Sequence, residues 1–191
     1  MKQASKNKPV PSLRIGRGIL GGRKIHFEAT PDLRPTLSQV REAVFSMIAP
    51  NAESFGFVDA CSGSGIMALE AASMGFSPVV SIEPHQPSLK RIKAHFQVMA
   101  VHALFFQQSV LAIDSFGLAR QKWVFYADPP YLQSSLHSEL LPILSQAAFV
   151  EPGSLYIAES EDQAPTQIPA GWTTLKRRRY GRACLWVGIK D

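Results

Sequence analysis

The chain has 191 residues, 46% of them hydrophobic, which suffices for one buried domain with a small extension but not for two equal domains. Its two cysteines, Cys61 and Cys184, lack the spacing of a zinc site or a disulfide framework. We therefore expect buried thiols, no metal and a cytoplasmic location. No apolar run reaches the roughly 18 residues of a membrane span, so a membrane partner is not expected.

The net charge of +5 is distributed unevenly along the chain. Residues 1–24 carry seven basic and no acidic side chains, residues 25–175 carry seven basic and fourteen acidic, and residues 176–191 carry six basic and one acidic. Basic segments at both ends of an acidic body are typical of a protein that binds a polyanion such as nucleic acid. A basic face that is only solvated is the alternative.

The amino-terminal segment predicts a tail followed by a hairpin. Residues 1–12 combine lysines and prolines without periodicity, and we expect them to be a disordered basic tail. Two short segments with apolar residues flank Gly21-Gly22, a pattern that favours a β-hairpin. Glycines on such a ribbon let phosphates approach the backbone, and four basic residues would contact them: Arg14, Arg17, Arg23 and Lys24.

A helix is predicted after the hairpin, from Leu37 to about Ile48, with Thr36 or Ser38 as its cap. Arg34 and Arg41 lie near its start, where they would meet a cofactor carboxylate or an RNA phosphate. A salt bridge to a nearby glutamate, Glu42 or Glu53, is an equally open interpretation.

From residue 57 onward, predicted strands alternate with helices. Strands are expected at 57–60, 79–83, 103–106, 123–127 and 155–158, and helices at 66–72, 89–99, 111–119 and 136–148. A final antiparallel hairpin is predicted at 172–178 and 184–189. Such alternation predicts an α/β fold with a mostly parallel sheet and helices on both faces.

A glycine turn lies between two acids that each follow or end a strand. Gly63 and Gly65, with Ala68, formally match a dinucleotide-binding fingerprint, and Glu83 lies close to the distance of its ribose acid. Asp59 would serve an anionic pyrophosphate poorly, whereas S-adenosylmethionine carries an ammonium and a sulfonium. The charges therefore favour S-adenosylmethionine over NAD, with Glu83 on the ribose hydroxyls.

The segment Asp128-Pro129-Pro130-Tyr131 follows the apolar run 123–127. In an open α/β sheet, ligands bind outside the carboxyl ends of the strands, so this segment is a candidate catalytic site. The Asp128 carboxylate and the Pro129 carbonyl can accept both hydrogens of an exocyclic base amine and orient its lone pair. Tyr131 can stack on the base. The segment by itself specifies an amine rather than a particular base.

These motifs together resemble the small-subunit ribosomal RNA guanine-N2 methyltransferases of the RsmD type. The resemblance spans most of the chain and includes four segments: Arg34-Pro35-Thr36 with Val40-Arg41-Glu42-Ala43-Val44-Phe45, Asp59 with Gly63-Ser64-Gly65 and Leu69-Glu70-Ala71, Glu83, and Asp128-Pro129-Pro130-Tyr131. It implies a class I (Rossmann-like) methyltransferase fold with a seven-stranded sheet, S-adenosylmethionine as cofactor, and guanine N2 of 16S rRNA as target.

The predicted site residues fall into three groups across a catalytic domain at 51–191 and an RNA-binding hairpin and helix at 13–50. The catalytic residues are Asp128, Pro129, Pro130 and Tyr131. The cofactor-binding residues are Asp59, Cys61, Ser62, Gly63, Gly65, Glu83, Pro84, Ser109, Val110 and Asp128, with Ser109 where the family commonly has an acid at the adenine amine. The RNA-binding residues are Arg14, Arg17, Arg23, Lys24, Arg34, Arg41, Lys176, Arg177, Arg178 and Arg179.

Two other functions stay open at this point. Adenine-N6 and cytosine-N4 DNA methyltransferases have a similar catalytic segment, although they usually need a separate target-recognition region, for which only about 30 residues remain here. A non-catalytic RNA-binding assembly factor could retain the same fold. The expected partner is 16S rRNA, a small ribosomal subunit or its assembly intermediate, bound by a monomer.

Overall fold

The computed structural model describes residues 11–27, 36–130, 135–161 and 165–191. Nine strands and four α-helices follow one another in these segments: β1 (Ser12–Arg14), β2 (Lys24–His26), α1 (Ser38–Ile48), β3 (Gly56–Asp59), α2 (Ile66–Met74), β4 (Val79–Ile82), α3 (Gln86–Met99), β5 (Leu104–Phe106), β6 (Trp123–Ala127), α4 (Leu136–Gln146), β7 (Leu155–Ser160), β8 (Trp172–Tyr180) and β9 (Ala183–Lys190). Two 3-10 helices lie at Ala49–Asn51 and Val110–Phe116.

Seven strands form one sheet in the order β5-β4-β3-β6-β7-β9-β8. Strands β3 to β7 are parallel, and β9 joins antiparallel to both β7 and β8. The strand order reverses between β4 and β6, on either side of β3, so the carboxyl ends of β3 and β6 meet at the topological switch point. The predicted mostly parallel, seven-stranded sheet is confirmed.

The sheet separates two hydrophobic cores. The front face, defined here as the one covered by α1, α2 and α3, receives Phe57, Val124 and Ile157. The back face, covered by α4 and the second 3-10 helix, receives Val58, Phe125 and Ala158. Because successive strand residues alternate between faces, side chains two positions beyond a front-face residue also point to the front.

Helix α2 is buried on nearly all sides, including Ile66, Leu69 and Glu70. One side packs on the sheet, and the amino-terminal segment (residues 11–27) covers the other. In that segment Ile15 and Leu20 are buried in the same core as α1 and α2. The segment is thus built into the front layer of the fold.

Three details differ from the sequence predictions. The amino-terminal strands pair at Ser12–Arg14 and Lys24–His26, with a longer connection than a turn at Gly21-Gly22 implies, and β1 begins inside the expected tail. Helix α1 has Leu37 as its N-cap without a side-chain hydrogen bond, so neither Thr36 nor Ser38 caps it. The helix expected at 111–119 is a 3-10 helix.

Candidate active site

Asp59 ends β3 at the switch point and is 1% exposed. Its Oδ2 accepts a hydrogen bond from the Ala68 backbone N–H at 3.2 Å, while Oδ1 is buried without a partner among the described residues. Burial raises the pKa of Asp59 to about 7, although the Ala68 N–H opposes this shift. A buried carboxylate oxygen without a partner fits a site that receives a cationic ligand.

The glycine turn and Glu83 are directly connected. Gly63 and Gly65 have φ angles of 49° and 79°, and a Cβ at Gly65 would lie 2.8 Å from the Ile92 side chain, so glycine is required there. The backbone N–H groups of Gly63 and His85 donate to the two carboxylate oxygens of Glu83, each at 2.8 Å. The predicted ribose acid is therefore held rigidly beside the turn, with acceptor capacity remaining on both oxygens.

Asp128 follows β6 and lies on the strand adjacent to β3. Its pKa is raised to about 8 by burial, then by the negative charges of Glu159 and Asp59. Pro129 is half-buried and Pro130 is exposed at the surface. The structure thus brings the predicted amine-binding acid and the predicted cofactor acid together at the carboxyl edge of the sheet.

Glu159 is a further acid of this site that the sequence analysis missed. The register pairs Ala127 with Ala158, which places Glu159 beside Asp128 on the neighbouring strand. Its side chain is buried, and the Tyr126 hydroxyl donates a hydrogen bond to Oε2. The sequence contained a signal for this acid, because Glu159 directly follows the apolar run 155–158, as Asp128 follows the run 123–127.

A chain of contacts links this acid to the segment before α1. Thr36 Oγ1 lies 3.5 Å from the Tyr126 hydroxyl, which in turn bonds Glu159. Burial, followed by the charges of Asp128 and Glu159, raises the pKa of Tyr126 well above its usual value, so its hydroxyl stays a donor. Thr36 therefore belongs to the edge of the site instead of capping a helix.

The remaining predicted cofactor residues have separate local environments. Ser62 is buried and donates to the Asp59 backbone carbonyl at 3.1 Å, whereas Pro84 is exposed beside Glu83. The pKa of the Cys61 thiol is raised by burial and by the neighbouring acids, which disfavours a thiolate nucleophile. Ser109 accepts from the Leu111 N–H at 3.3 Å and caps the 3-10 helix, and Val110 is buried below it.

Arg41 is a correction to the predicted RNA-binding set. It is 6% exposed, and its guanidinium forms an ion pair with Glu70 of α2 and donates to the Arg14 carbonyl at 3.0 Å. Its partner is neither Glu42 nor Glu53. Arg41 therefore joins α1, α2 and the amino-terminal segment, and its guanidinium is directed into the protein, away from solvent.

The basic residues predicted at the two ends of the chain are exposed. They comprise Arg14, Arg17, Arg23 and Lys24 in the amino-terminal segment and Lys176, Arg177, Arg178 and Arg179 on β8. In the β8–β9 register, Lys176 pairs with Val187 and Arg178 with Leu185, which are front-face core residues. Lys176 and Arg178 thus share the sheet face of Glu159, whereas Arg177 and Arg179 alternate to the other face.

Two predicted residues, Arg34 and Tyr131, lie outside the described residues. Within the described ranges, no helix is long and apolar enough to cross a membrane. The same ranges contain no group of histidine, cysteine, aspartate or glutamate side chains arranged to hold a metal ion.

Comparison with known proteins gives one related sequence and two related structures of particular interest. The chain is 26% identical over 175 residues to the ribosomal RNA small subunit methyltransferase D of Haemophilus influenzae, covering 88% of this chain and 89% of that protein. A putative methyltransferase structure from Escherichia coli has a TM-score of 0.82 at 22% identity, covering 95% of this chain and 99% of the other.

A more distant structure is an RNA methyltransferase from Salinibacter ruber in complex with S-adenosyl-L-homocysteine. Its TM-score is 0.61 at 17% identity, covering 83% of this chain and 94% of the other. These likenesses confirm the Rossmann-like methyltransferase fold. The family model described as Conserved hypothetical protein 95 matches residues 13–189. Since this match spans nearly the whole sequence, the chain belongs to that family, whose RsmD-type members the motifs resemble.

Proposed function

We propose that this protein transfers a methyl group from S-adenosylmethionine to the exocyclic N2 of a guanine in 16S rRNA of the small ribosomal subunit. The observation that carries the proposal is the meeting of Asp59 and Asp128 at the carboxyl ends of adjacent strands β3 and β6. One acid is placed for a cationic cofactor and the other for an amine. The ribosomal RNA methyltransferase name of the Haemophilus influenzae relative supports the substrate class.

The residues around the glycine turn fit the proposed cofactor. S-Adenosylmethionine supplies an electrophilic methyl group on a sulfonium. Asp59 offers an unpartnered buried oxygen to a cation, and the rigidly held Glu83 can accept from ribose hydroxyls. A cationic ligand favours the ionised carboxylate and so offsets the burial that raises the pKa of Asp59.

In the proposed reaction, the Asp128 carboxylate and the Pro129 carbonyl each accept a hydrogen bond from one N–H group of the base amine. This orients the nitrogen lone pair toward the methyl group, and positioning supplies much of the rate. Tyr131 stacks on the base after the nucleotide has been turned out of its RNA surroundings. The amine loses its proton after alkylation, so Asp128 acts mainly as a hydrogen-bond acceptor.

Two basic surfaces would hold RNA around this site. The amino-terminal segment lies on α2, β8 is the edge strand of the sheet, and the exposed Lys176 and Arg178 of β8 share the face of the catalytic acids. Phosphate contacts of this kind are independent of sequence and sensitive to salt. They would fix the RNA while the site selects the base.

The direct test measures transfer of labelled methyl to isolated small subunits, assembly intermediates and duplex DNA, with mass analysis of the nucleosides. We expect N2-methylguanine in RNA and none in DNA. N6-Methyladenine or N4-methylcytosine as the product would contradict the substrate assignment. Calorimetry that detects no S-adenosylmethionine binding would instead favour the non-catalytic assembly factor.

A D128N variant tests the role of the acid. Because an amide cannot accept as a charged carboxylate does, we expect turnover to fall at least about 100-fold, the scale of losing one preorganised polar group in an active site. S-Adenosylmethionine affinity should stay within about threefold of wild type, since Asp59 and Glu83 are unchanged. The control is E139Q, which replaces an exposed acid on α4. It should leave both the turnover and the S-adenosylmethionine affinity unchanged.

A further inference from the structure

Glu159 lies next to the proposed amine-binding acid, Asp128, but has no role in the reaction described so far. Parallel pairing of β6 with β7 sets Glu159 beside Asp128, one strand spacing away, and both side chains face the front. The negative charge of Glu159 is the largest contribution after burial to the raised pKa of Asp128. A buried carboxyl group beside a partly buried one costs stability, and a ligand that brings several hydrogen-bond donors would offset this cost.

We propose that Glu159 accepts the ring N1–H of the target guanine while Asp128 and the Pro129 carbonyl hold the neighbouring N2 amine. The inference rests on the proposed function and deepens it, because it assigns the residue that selects guanine. Guanine presents N1–H and N2–H side by side as donors, so two adjacent carboxylates match this edge.

The other amino bases present the opposite pattern beside their amine. The adenine N6 amine lies next to N1 and the cytosine N4 amine lies next to N3, and both ring nitrogens are acceptors. A carboxylate facing such a lone pair repels it, and in a buried site no water relieves the conflict. Glu159 therefore rejects bases that Asp128 alone would admit.

Neighbouring residues fix the position of Glu159, and one of them favours its accepting state. The Tyr126 hydroxyl donates to Oε2, which favours the ionised form against the burial that raises its pKa. Buried His137 contacts the Glu159 backbone carbonyl through Nε2 at 3.2 Å and the Tyr156 hydroxyl through Nδ1 at 2.9 Å. Side chain and backbone are thus both fixed before a base arrives.

The experiment replaces the ring donor of the substrate and compares E159Q with wild type. The methylated nucleotide is first located by mass mapping of the wild-type product. Small subunits are then reconstituted with guanine or 2,6-diaminopurine at that position. Diaminopurine keeps the 2-amine but has an acceptor at N1. We expect wild type to prefer guanine at least about tenfold, because the carboxylate faces a lone pair.

E159Q should lower this preference toward unity, because its amide can either accept from N1–H or donate to N1. Its S-adenosylmethionine affinity should stay within about threefold of wild type. E139Q is the control and should keep the wild-type preference. An unchanged preference in a folded E159Q variant would overturn the inference.

If the proposed function itself is wrong, the experiment gives a different result. In that case the wild-type protein does not methylate guanine N2 in small subunits at all. If E159Q does not fold, E159D replaces it as the test. The shorter carboxylate should keep the preference for guanine with a lower rate, and an unchanged rate in E159D would also contradict the proposal.

Discussion

Asp59 illustrates how a single residue can lower stability for the sake of binding. It is buried, one of its oxygens has no partner among the described residues, and its folded pKa of about 7 lies above its ordinary value of 3.8. The folded state therefore binds more protons than the unfolded state across this interval. The contribution of Asp59 to the free energy of unfolding is therefore most favourable below about pH 4, where the carboxyl group is protonated in both states. This contribution is lost as the pH rises through about 7.

We predict that D59N removes the part of the pH dependence that comes from Asp59. The ligand-free wild-type protein should lose stability between about pH 4 and pH 7, and the variant should lose less. At pH 8 the Tm of D59N should exceed that of wild type by at least about 2–4 °C, which corresponds to about 1 kcal/mol in a domain of this size. Thermal unfolding monitored by circular dichroism measures both effects.

The same variant should bind S-adenosylmethionine poorly, since it lacks the charge that attracts a cation. E139Q, at an exposed position, should match wild type in both stability and affinity. A D59N protein less stable than wild type at pH 8 would show that the carboxylate stabilises the fold, contrary to its environment.

At the scale of elements, the contact between the amino-terminal segment and α2 is the least expected feature. The Ile19 N–H donates to the Ser73 carbonyl and the Leu20 N–H to the Ser73 hydroxyl, both at 2.9 Å. The Gly16 N–H donates to Glu70, which also holds Arg41. Successive residues of the segment are thereby fixed to the carboxyl-terminal half of one helix.

Gly18 and Gly22 form a matched pair that tests this contact. Both have positive φ angles, +77° and +85°. A Cβ at Gly18 would lie 1.9 Å from the Ser73 carbonyl oxygen, whereas a Cβ at Gly22 would have no atom within 4 Å. We predict that Gly22→Ala costs about 1–2 kcal/mol of unfolding free energy from backbone strain alone. Gly18→Ala should cost clearly more, because the segment must separate from α2.

Urea unfolding of both variants measures the difference. Equal losses would mean that the segment is not held on α2 in solution. The additional loss in Gly18→Ala should be accompanied by weaker binding to small subunits, since the segment carries four exposed basic residues: Arg14, Arg17, Arg23 and Lys24.

On the scale of the whole molecule, β-sheet alternation divides the basic run on β8 into two sets. Lys176 and Arg178 share the face of the active-site acids, and Arg177 and Arg179 do not. Arg177 also donates to the Pro165 carbonyl at 3.0 Å. Only the first set is placed to contact the proposed RNA substrate at the front of the sheet.

We predict different effects for two double variants of equal charge. K176A/R178A should weaken binding to small subunits and lower the slope of log affinity against log salt by about 0.7–0.9 for each phosphate that the variant no longer neutralises. R177A/R179A should change both quantities less. Filter binding at several salt concentrations measures the slopes, and equal effects of the two variants would exclude a face-specific contact.

Much of this architecture was predictable from local pattern. Buried strands, the glycine turn and the acids Asp59, Glu83 and Asp128 could be placed because each depends on neighbouring residues in sequence. The partner of Arg41 could not, since Glu70 lies 29 residues away on another helix and is selected by packing. Glu159 was visible as an acid after a strand, but its pairing with Asp128 depends on the strand order.

The buried carboxyl cluster also has a consequence for the end of the catalytic cycle. Under the proposed reaction, transfer of the methyl group converts a sulfonium into an uncharged thioether. The cofactor keeps its ammonium but loses the sulfonium charge, so Asp59 faces one cationic group fewer in a site whose burial penalises its ionised form. We therefore expect this protein to hold spent cofactor less tightly than fresh cofactor, so that the charge of the site assists product release.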